Sequence, residues 1–402
     1  MNHKALLLIP DGMADRPCKD LGGQTPLDVA AHPTLDALCS QGRMGMAVTV
    51  PENLPPGSDV ANLALLGYDP QKYYTGRGPL EAASKGIALG TDEVVFRCNL
   101  VSVKDGPSGG LIMHDYSAGH ITTEEAAVLI RDLAAHPAFK KTRLFPGVSY
   151  RHLMVAKSGS DWKTVPPHDI MGQAIVKHAP SDHQWQEWFD VARKILASHP
   201  VNKSREKAGK EAANAIWIWG QGKSPHLPAL QERFGIKAAM ITAVDLLRGI
   251  AVFTGMDIVE VPGVTGYLDT NFAGKAEYAL RALDNHDLVV VHIEAPDETG
   301  HSGKADLKLK AIELWDSEFL EPLLAGLNRR SDPWRILVSP DHATPLALRT
   351  HTHDLVPFLF ADSRVKPGKP ARFTESIAAQ SDWRLTAHES FLPLLLGDQM
   401  PS

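Results

Sequence analysis

Asp297 and His301 stand four apart in EAPDETGHSG, Asp341 and His342 stand together in LVSPDHATP, and His351 and His353 alternate in RTHTHDLVPF. Each segment adjoins an apolar run of strand length, and a further carboxylate, Asp11, closes the first such run in KALLLIPDG. Residues four apart on a helical turn project from one face, so Asp297 and His301 can chelate one ion. Asp341 and His342 would point oppositely inside a strand, but where a strand ends and the chain turns they can converge. Imidazole mixed with carboxylate suits Mn, Zn or Co rather than Ca, which takes oxygen ligands alone. If these runs lie side by side in one sheet, their ends open onto one crevice, the place where open α/β sheets bind ligands. The pattern predicts a binuclear transition-metal site. Taken singly, each group has an ordinary structural explanation: a helix-start Asp, edge-strand histidines, a turn-capping Asp11. Their joint occurrence at four strand ends argues for metal.

A nucleophile suits such a site, and Ser58 in NLPPGSDVANLALLGYDP is the candidate. It opens an amphipathic helical stretch, where amide dipoles favour developing negative charge and a nearby cation can ionise a hydroxyl. Without the metal residues it would read as a good helix cap. Elsewhere, Asp115, His120, Arg151, His168, Asp169 and Lys223 lie in Gly- and Pro-rich segments, with Arg77 in TGRGP. Cations there could hold a phosphate or carboxylate, arginine in a fork, and the plain alternative for each is a solvated surface group. Trp217 and Trp219 in NAIWIWGQG alternate like a core strand.

Elements able to position these residues follow from periodicity. Strand-length runs cover residues 5–9, 45–50, 94–103, 153–156, 215–219, 288–293, 336–338 and 356–360, and helical patterns cover 34–41, 58–66, 122–135, 181–198, 275–283 and 306–324. The alternation predicts an α/β class with a largely parallel sheet. The metal-type segments fall before about residue 60 and after about 295, so one discontinuous domain, 1–84 with 224–402, is interrupted by an insertion, 85–223. The polar stretch HPVNKSREKAGKEAAN reads as a solvated loop. The 402 residues suit two domains, and 44% apolar with 22% charged residues is the composition of a globular protein. A net charge of -6 with no basic run gives no footprint for nucleic acid or anionic membrane, which leaves a small molecule as the expected partner. Cys18, Cys39 and Cys98 form no CxxC and suit a reducing compartment; the first apolar run is too short for a signal peptide, so the cytoplasm is the expected location.

LLLIPDGMAD, GSDVANLALLGYDP, YYTGRGPLEAA, GVSYRHL, PPHDI, EAPDETGHSG, SPDHATP and HTHDLVPF, in this order from about residue 5 to 360, together resemble the archaeal type of 2,3-bisphosphoglycerate-independent phosphoglycerate mutase, within the alkaline phosphatase superfamily. The resemblance implies an alkaline-phosphatase-like, mostly parallel sheet flanked by helices, with the insertion as a smaller α/β substrate-binding lid. It implies two divalent ions, Mn first with Zn or Co as alternatives. Asp11, Ser58, Asp341 and His342 would surround one, and Asp297, His301 and His351 the other, leaving His353 without a ligand role. Ser58 would take the phosphoryl group of 3-phosphoglycerate and return it to the 2-hydroxyl, and lid groups such as Arg151 and Lys223 would hold the glycerate. His120 stands where the family pattern has arginine. A homoserine kinase-like phosphotransferase of the same family, or a metal-dependent phosphatase, would reuse Ser58 and both metals with a different pocket. A regulatory protein with a dead site would have no need of the intact set.

Overall fold

A computed structural model describes residues 2–107, 109–369, 371–386 and 388–397. In chain order its strands are β1 (Lys4–Pro10), β2 (Gly42–Ala47), β3 (Val94–Asp105), β4 (Leu111–Asp115), β5 (Arg143–Phe145), β6 (Arg151–Ala156), β7 (Ala215–Gly222), β8 (Ala238–Ile241), β9 (Asp257–Ile258), β10 (Leu288–Ile293), β11 (Trp334–Val338), β12 (Val356–Asp362) and β13 (Arg384–Leu385). The chain divides into two compact units, Met1–Tyr74 with His226–Ser402, and Thr75–Pro225.

The first unit is built on a sheet of order β13-β2-β12-β11-β1-β10-β8-β9. Strands β11, β1, β10, β8 and β9 run parallel, and β12 runs antiparallel to both β11 and β2. Both faces of a parallel sheet are covered by helices, which is why β1 and β10 read as unbroken apolar runs rather than alternating ones. Every residue of β10 is buried, and in β1 only Lys4 is not. Register matters more for function. Pro10 pairs with Ile293 and Leu8 with Val338, so the carboxyl ends of three neighbouring strands finish at one level. The antiparallel β12 begins at that level, which is why its histidines precede their strand while the other candidate ligands follow theirs.

The helical pattern expected over 306–324 runs as Ala305–Leu314, a wider π-type turn over Trp315–Leu320, and Glu321–Leu327. Pro322 cannot donate the amide that a regular helix requires. The turn is put to use: Asp316 accepts Thr34 N at 3.1 Å and Leu35 N at 2.7 Å, tying the start of the Pro33–Cys39 helix to it.

The second unit has an antiparallel five-stranded sheet of order β4-β3-β6-β5, with β7 also on β3. Its core gathers Phe96, Trp185, Trp188, Trp217 and Leu129. The helix Arg77–Ser84, which the sequence reading assigned to the first domain, belongs to this unit, so the boundary falls at Tyr74 rather than Ser84. Gly78 explains the fit, since a Cβ there would lie 2.6 Å from Val95 O, and Glu81 pairs with Arg97 of β3 at 3.0 Å. The stretch expected as a solvated loop is partly helical, Pro200–Lys207. Asn202 and Arg205 are buried there, and Arg205 binds the Glu211 and Ala118 carbonyls and the Glu125 carboxylate; a polar composition concealed two inward-facing polar anchors. Among the described residues no helix is long and apolar enough to cross a membrane. Cys18, Cys39 and Cys98 are buried free thiols.

Candidate active site

At the common level of the strand ends, Asp11 follows β1, Asp297 and His301 lie on the helix Ala295–Ser302 after β10, and Asp341 with His342 follow β11. Asp297 Oδ2 is 3.2 Å from His301 Nε2, and its Oδ1 is 3.4 Å from His351 Nε2. Asp11 Oδ1 is 3.5 Å from His342 Nε2, which lies 3.1 Å from Ser58 Oγ at the start of the helix Ser58–Leu65. The turn after β1 is possible only with glycine. Gly12 has φ +60°, and a Cβ would meet Asp297 Oδ1 at 2.5 Å and Thr344 Oγ1 at 2.6 Å. Its amide donates to Asp341 Oδ1 at 3.1 Å.

The imidazoles are held from behind. His301 Nδ1 lies 2.9 Å from Arg349 O and His351 Nδ1 3.4 Å from Pro56 O, so each ring is anchored there and turns its Nε2 inward. Those two Nε2 atoms are 2.9 Å apart. The Thr344 hydroxyl donates its proton to Asp297 and accepts from His342 Nδ1 at 3.2 Å, which leaves His342 Nε2 facing Ser58. Asn62 Nδ2 donates to Ser58 O at 2.8 Å and to Asp341 Oδ2 at 3.0 Å. Asp11 Oδ1, fully buried, has no hydrogen-bond partner. Converging imidazole nitrogens and a buried carboxylate oxygen without a hydrogen-bond partner among the described residues are a good arrangement for a divalent cation. Among the described residues three groups could hold an ion: Asp297, His301 and His351; Asp11, Asp297 and His342; and Asp11, His292 and Asp341.

The protonation pattern follows burial and charge. Burial pushes His342 down to about 4, a neutral ring with a free lone pair. The hydrogen bond that His301 donates to the Asp297 carboxylate raises the imidazole to about 9. Burial raises Asp11 well above the carboxylate range, and neighbouring Asp341 and Asp297 raise it further; clustering acids in a dry site disfavours their charge until a cation arrives.

His353, which the sequence reading left without a ligand role, turns its Nε2 to Leu54 O at 2.8 Å; with His351 on Pro56 O, it braces the loop that delivers Ser58. Four residues escaped the sequence reading. His292 and Glu294 sit in and just after the otherwise apolar β10, and polar side chains in an apolar buried run were the available signal. Thr344 and Asn62 carried none beyond proximity to the motifs.

In the second unit, Arg97, the fourth residue of β3, stacks on Trp219 at 4.4 Å, and the guanidiniums of Arg77 and Arg151 lie close enough to act on it. His168 meets Trp219 and Tyr116 edge-on at 5.8 and 6.0 Å, and Arg151 lies 5.8 Å from the Tyr150 ring. Trp217 is core, its Nε1 donating to Val165 O at 2.9 Å. The Asp115 carboxylate is taken up by its own turn, accepting from Ser117 N, Ser117 Oγ and Gly119 N. His120 ends that turn in the left-handed region, φ +47°, 6.5 Å from the Tyr150 ring. Lys223 follows β7, and its charge acts on Asp92.

Comparison with known proteins accords with this geometry. Residues 39–202 match the family model described as 2,3-bisphosphoglycerate-independent phosphoglycerate mutase. A protein of that name from Methanothrix thermoacetophila is 48% identical over 98% of this chain and 99% of its own length. A probable one from Geobacter sulfurreducens is 49% identical over 89% of this chain and 90% of its own. Among solved structures, the PH0037 protein of Pyrococcus horikoshii superposes over the whole of both chains with a TM-score of 0.81 at 29% identity. A cofactor-independent phosphoglycerate mutase from Thermoplasma acidophilum does so with a TM-score of 0.65 at 28% identity, over 98% of this chain and 99% of its own. By likeness along its whole length, and with Asp, His and Ser gathered where its strands end, this chain belongs to the family of archaeal-type 2,3-bisphosphoglycerate-independent phosphoglycerate mutases.

Proposed function

We propose that the chain interconverts 3-phosphoglycerate and 2-phosphoglycerate by way of a phosphoserine at Ser58, with two divalent ions, Mn first and Zn or Co as alternatives. The observation that carries this reading is the Ser58 hydroxyl 3.1 Å from the Nε2 of a buried, neutral His342, within a pocket of buried carboxylates. Asp11, Ser58, Asp341 and His342 would hold one ion and Asp297, His301 and His351 the other. When bound, the ions ease ionisation of the serine hydroxyl and neutralise charge on the phosphoryl oxygens.

Ser58 Oγ gives up its proton and forms a bond to phosphorus as the bond from phosphorus to the glycerate 3-oxygen breaks, and that oxygen takes a proton. The glycerate turns within the site; its 2-hydroxyl attacks the same phosphorus and loses its proton, and Ser58 Oγ leaves and regains one. Asn62 keeps Ser58 and Asp341 in register through both halves. In this reading the second unit is the substrate-binding lid, with Arg97, Arg77, Arg151 and His168 holding the substrate's anionic groups and keeping water from the phosphoserine, which hydrolysis would destroy. Asp115 and His120 shape that surface through their turn, and Lys223 stands at its edge.

The test is a coupled assay on 3-phosphoglycerate without 2,3-bisphosphoglycerate, run beside assays for phosphate release and for ATP-dependent phosphorylation of homoserine. Isomerisation, with a phosphorylated Ser58 peptide trapped by acid quench, is expected. Turnover only in one of the other two assays overturns the reading.

A further inference from the structure

Beside the candidate ligands lies a buried network that the proposed chemistry does not use. Lys275, on the helix Phe272–Ala282, is completely buried and donates to Glu294 Oε2 at 3.3 Å and to His292 O at 2.9 Å. Glu294 is buried as well, and its Oε1 accepts from Thr242 Oγ1 and Ala243 N, each at 3.1 Å. Removing a lysine and a glutamate from water together is costly, so the pair is a weak source of stability and a strong source of fixed geometry. What it fixes is His292. The ring is fully buried, with Nδ1 3.1 Å from Glu294 Oε1 and 3.4 Å from Thr242 Oγ1. Its Nε2 lies 3.2 Å from Asp11 Oδ2 and 3.9 Å from Asp341 Oδ2.

The two oxygens of Asp11 therefore face different neighbours. Oδ2 abuts His292 Nε2 at 3.2 Å, a contact without hydrogen-bond geometry, and Oδ1 points to His342 Nε2 at 3.5 Å; among the described residues neither His292 Nε2 nor Asp11 Oδ1 has a hydrogen-bond partner. A fixed ring packed against one oxygen of a carboxylate limits the angle at which it presents the other, and groups behind metal ligands typically tune affinity about ten- to hundredfold. We propose that Lys275, Glu294 and His292 form a positioning relay that aims the free oxygen of Asp11 into the pocket shared with Ser58, Asp341 and His342. His292 is a positioning residue, acting through Asp11 and touching no substrate.

The proposal rests on the two-ion reading, and the test separates them. Chelator-treated protein is titrated calorimetrically with Mn, and bound metal per chain is counted, for wild type, His292→Leu, His292→Gln and Glu294→Gln. With the His301→Ala change added to each, only the ion beside Asp11 is measured. The expected result is two ions in wild type, a loss of about ten- to hundredfold in affinity at the Asp11 ion in His292→Leu, most of it recovered in His292→Gln, and a smaller loss in Glu294→Gln. In turnover, kcat falls while KM for phosphoglycerate holds. Glu294→Gln keeps the side chain's volume and stands in if His292→Leu does not fold. Unchanged affinity in both variants overturns the relay. Equal weakening of both ions with a lower unfolding midpoint of the metal-free chain makes His292 a core residue instead. A third ion in wild type, lost in His292→Leu, makes it a ligand. No ion in wild type removes the metal reading itself, before any substitution is examined.

Discussion

In the first unit the groups that could bind an ion are held from behind: His301 by a carbonyl, His342 by Thr344, Asp341 by Gly12 and Asn62. In the second, Arg97 is pinned between Glu81 and Trp219, while Arg151 is exposed and half of the His168 side chain is accessible. The two surfaces solve different problems. Groups that stabilise a transition state gain most from being fixed before the substrate arrives. On the proposed reading, Arg151 and His168 would hold two isomers in turn and let one become the other, which suits a looser hold.

That contrast can be broken from either side. The largest effect is expected at Ser58, where Ser58→Ala should lower turnover to below about 1% with both ions retained, because the hydroxyl is one of four groups around its ion. Rapid-quench kinetics with metal analysis checks it, and substantial residual turnover refutes the nucleophile. Next is Lys308, fully buried on Asp15 at 2.8 Å and on the carbonyls of Thr344 at 2.9 Å and Ala14 at 3.2 Å, a strut between the loops bearing Asp11 and Asp341. Lys308→Met leaves the buried Asp15 without its ion-pair partner, held by the Arg16 and Leu346 amides, and should cost about 3–5 kcal/mol in denaturant unfolding, as expected for breaking a buried pair. A change near zero would mean that the loops do not depend on it.

On the other surface, Arg151→Ala should cost roughly 2–4 kcal/mol in kcat/KM for phosphoglycerate, the scale of a lost charge-assisted contact, while hydrolysis of a small phosphate ester survives. Equal loss of both activities would make Arg151 a support of the fold. The smallest effect is one of pH. The Asp297 contact raises His301 to about 9, so that contact stabilises the metal-free protein fully below about 6.5 and is lost as pH rises through about 9. An ion must displace the same proton, and its apparent affinity at Asp297, His301 and His351 should climb about tenfold per pH unit from 7 toward 9. Calorimetry in buffers of different ionisation heat measures the proton released; a pH-independent affinity contradicts the pairing.

Much of the first unit was legible because period and length agreed. The run 288–293 is a strand to the residue, and Ser58 opens its helix as expected. The strand Ala238–Ile241 and the helix Asp245–Thr254 went unread. AAMI is short and half alanine, with none of the β-branched density that separates a strand from a helix turn. Asp11, Ser58, Asp297, His301, Asp341, His342 and His351 could be grouped from sequence because each ends or begins an element, and element ends are readable. Their supports could not. Thr344, Asn62 and His292 act through contacts that only the register of β1, β10 and β11 creates. In the second unit, Arg97 lay inside an apolar strand and gave no sign of the tryptophan it would stack on.

The central place of β1 bears on how the protein is made. A chain leaving the ribosome presents β1 before its two partners, residues 288–293 and 334–338, and the intervening 75–225 form a compact unit of their own. The strand carrying Asp11 waits, apolar and unpaired, until those partners have emerged, an exposure that invites aggregation. Metal capture at the proposed sites would thereby wait for these later segments: a chain stopped before residue 334 lacks Asp341, His342 and His351, and cannot assemble either group of ligands.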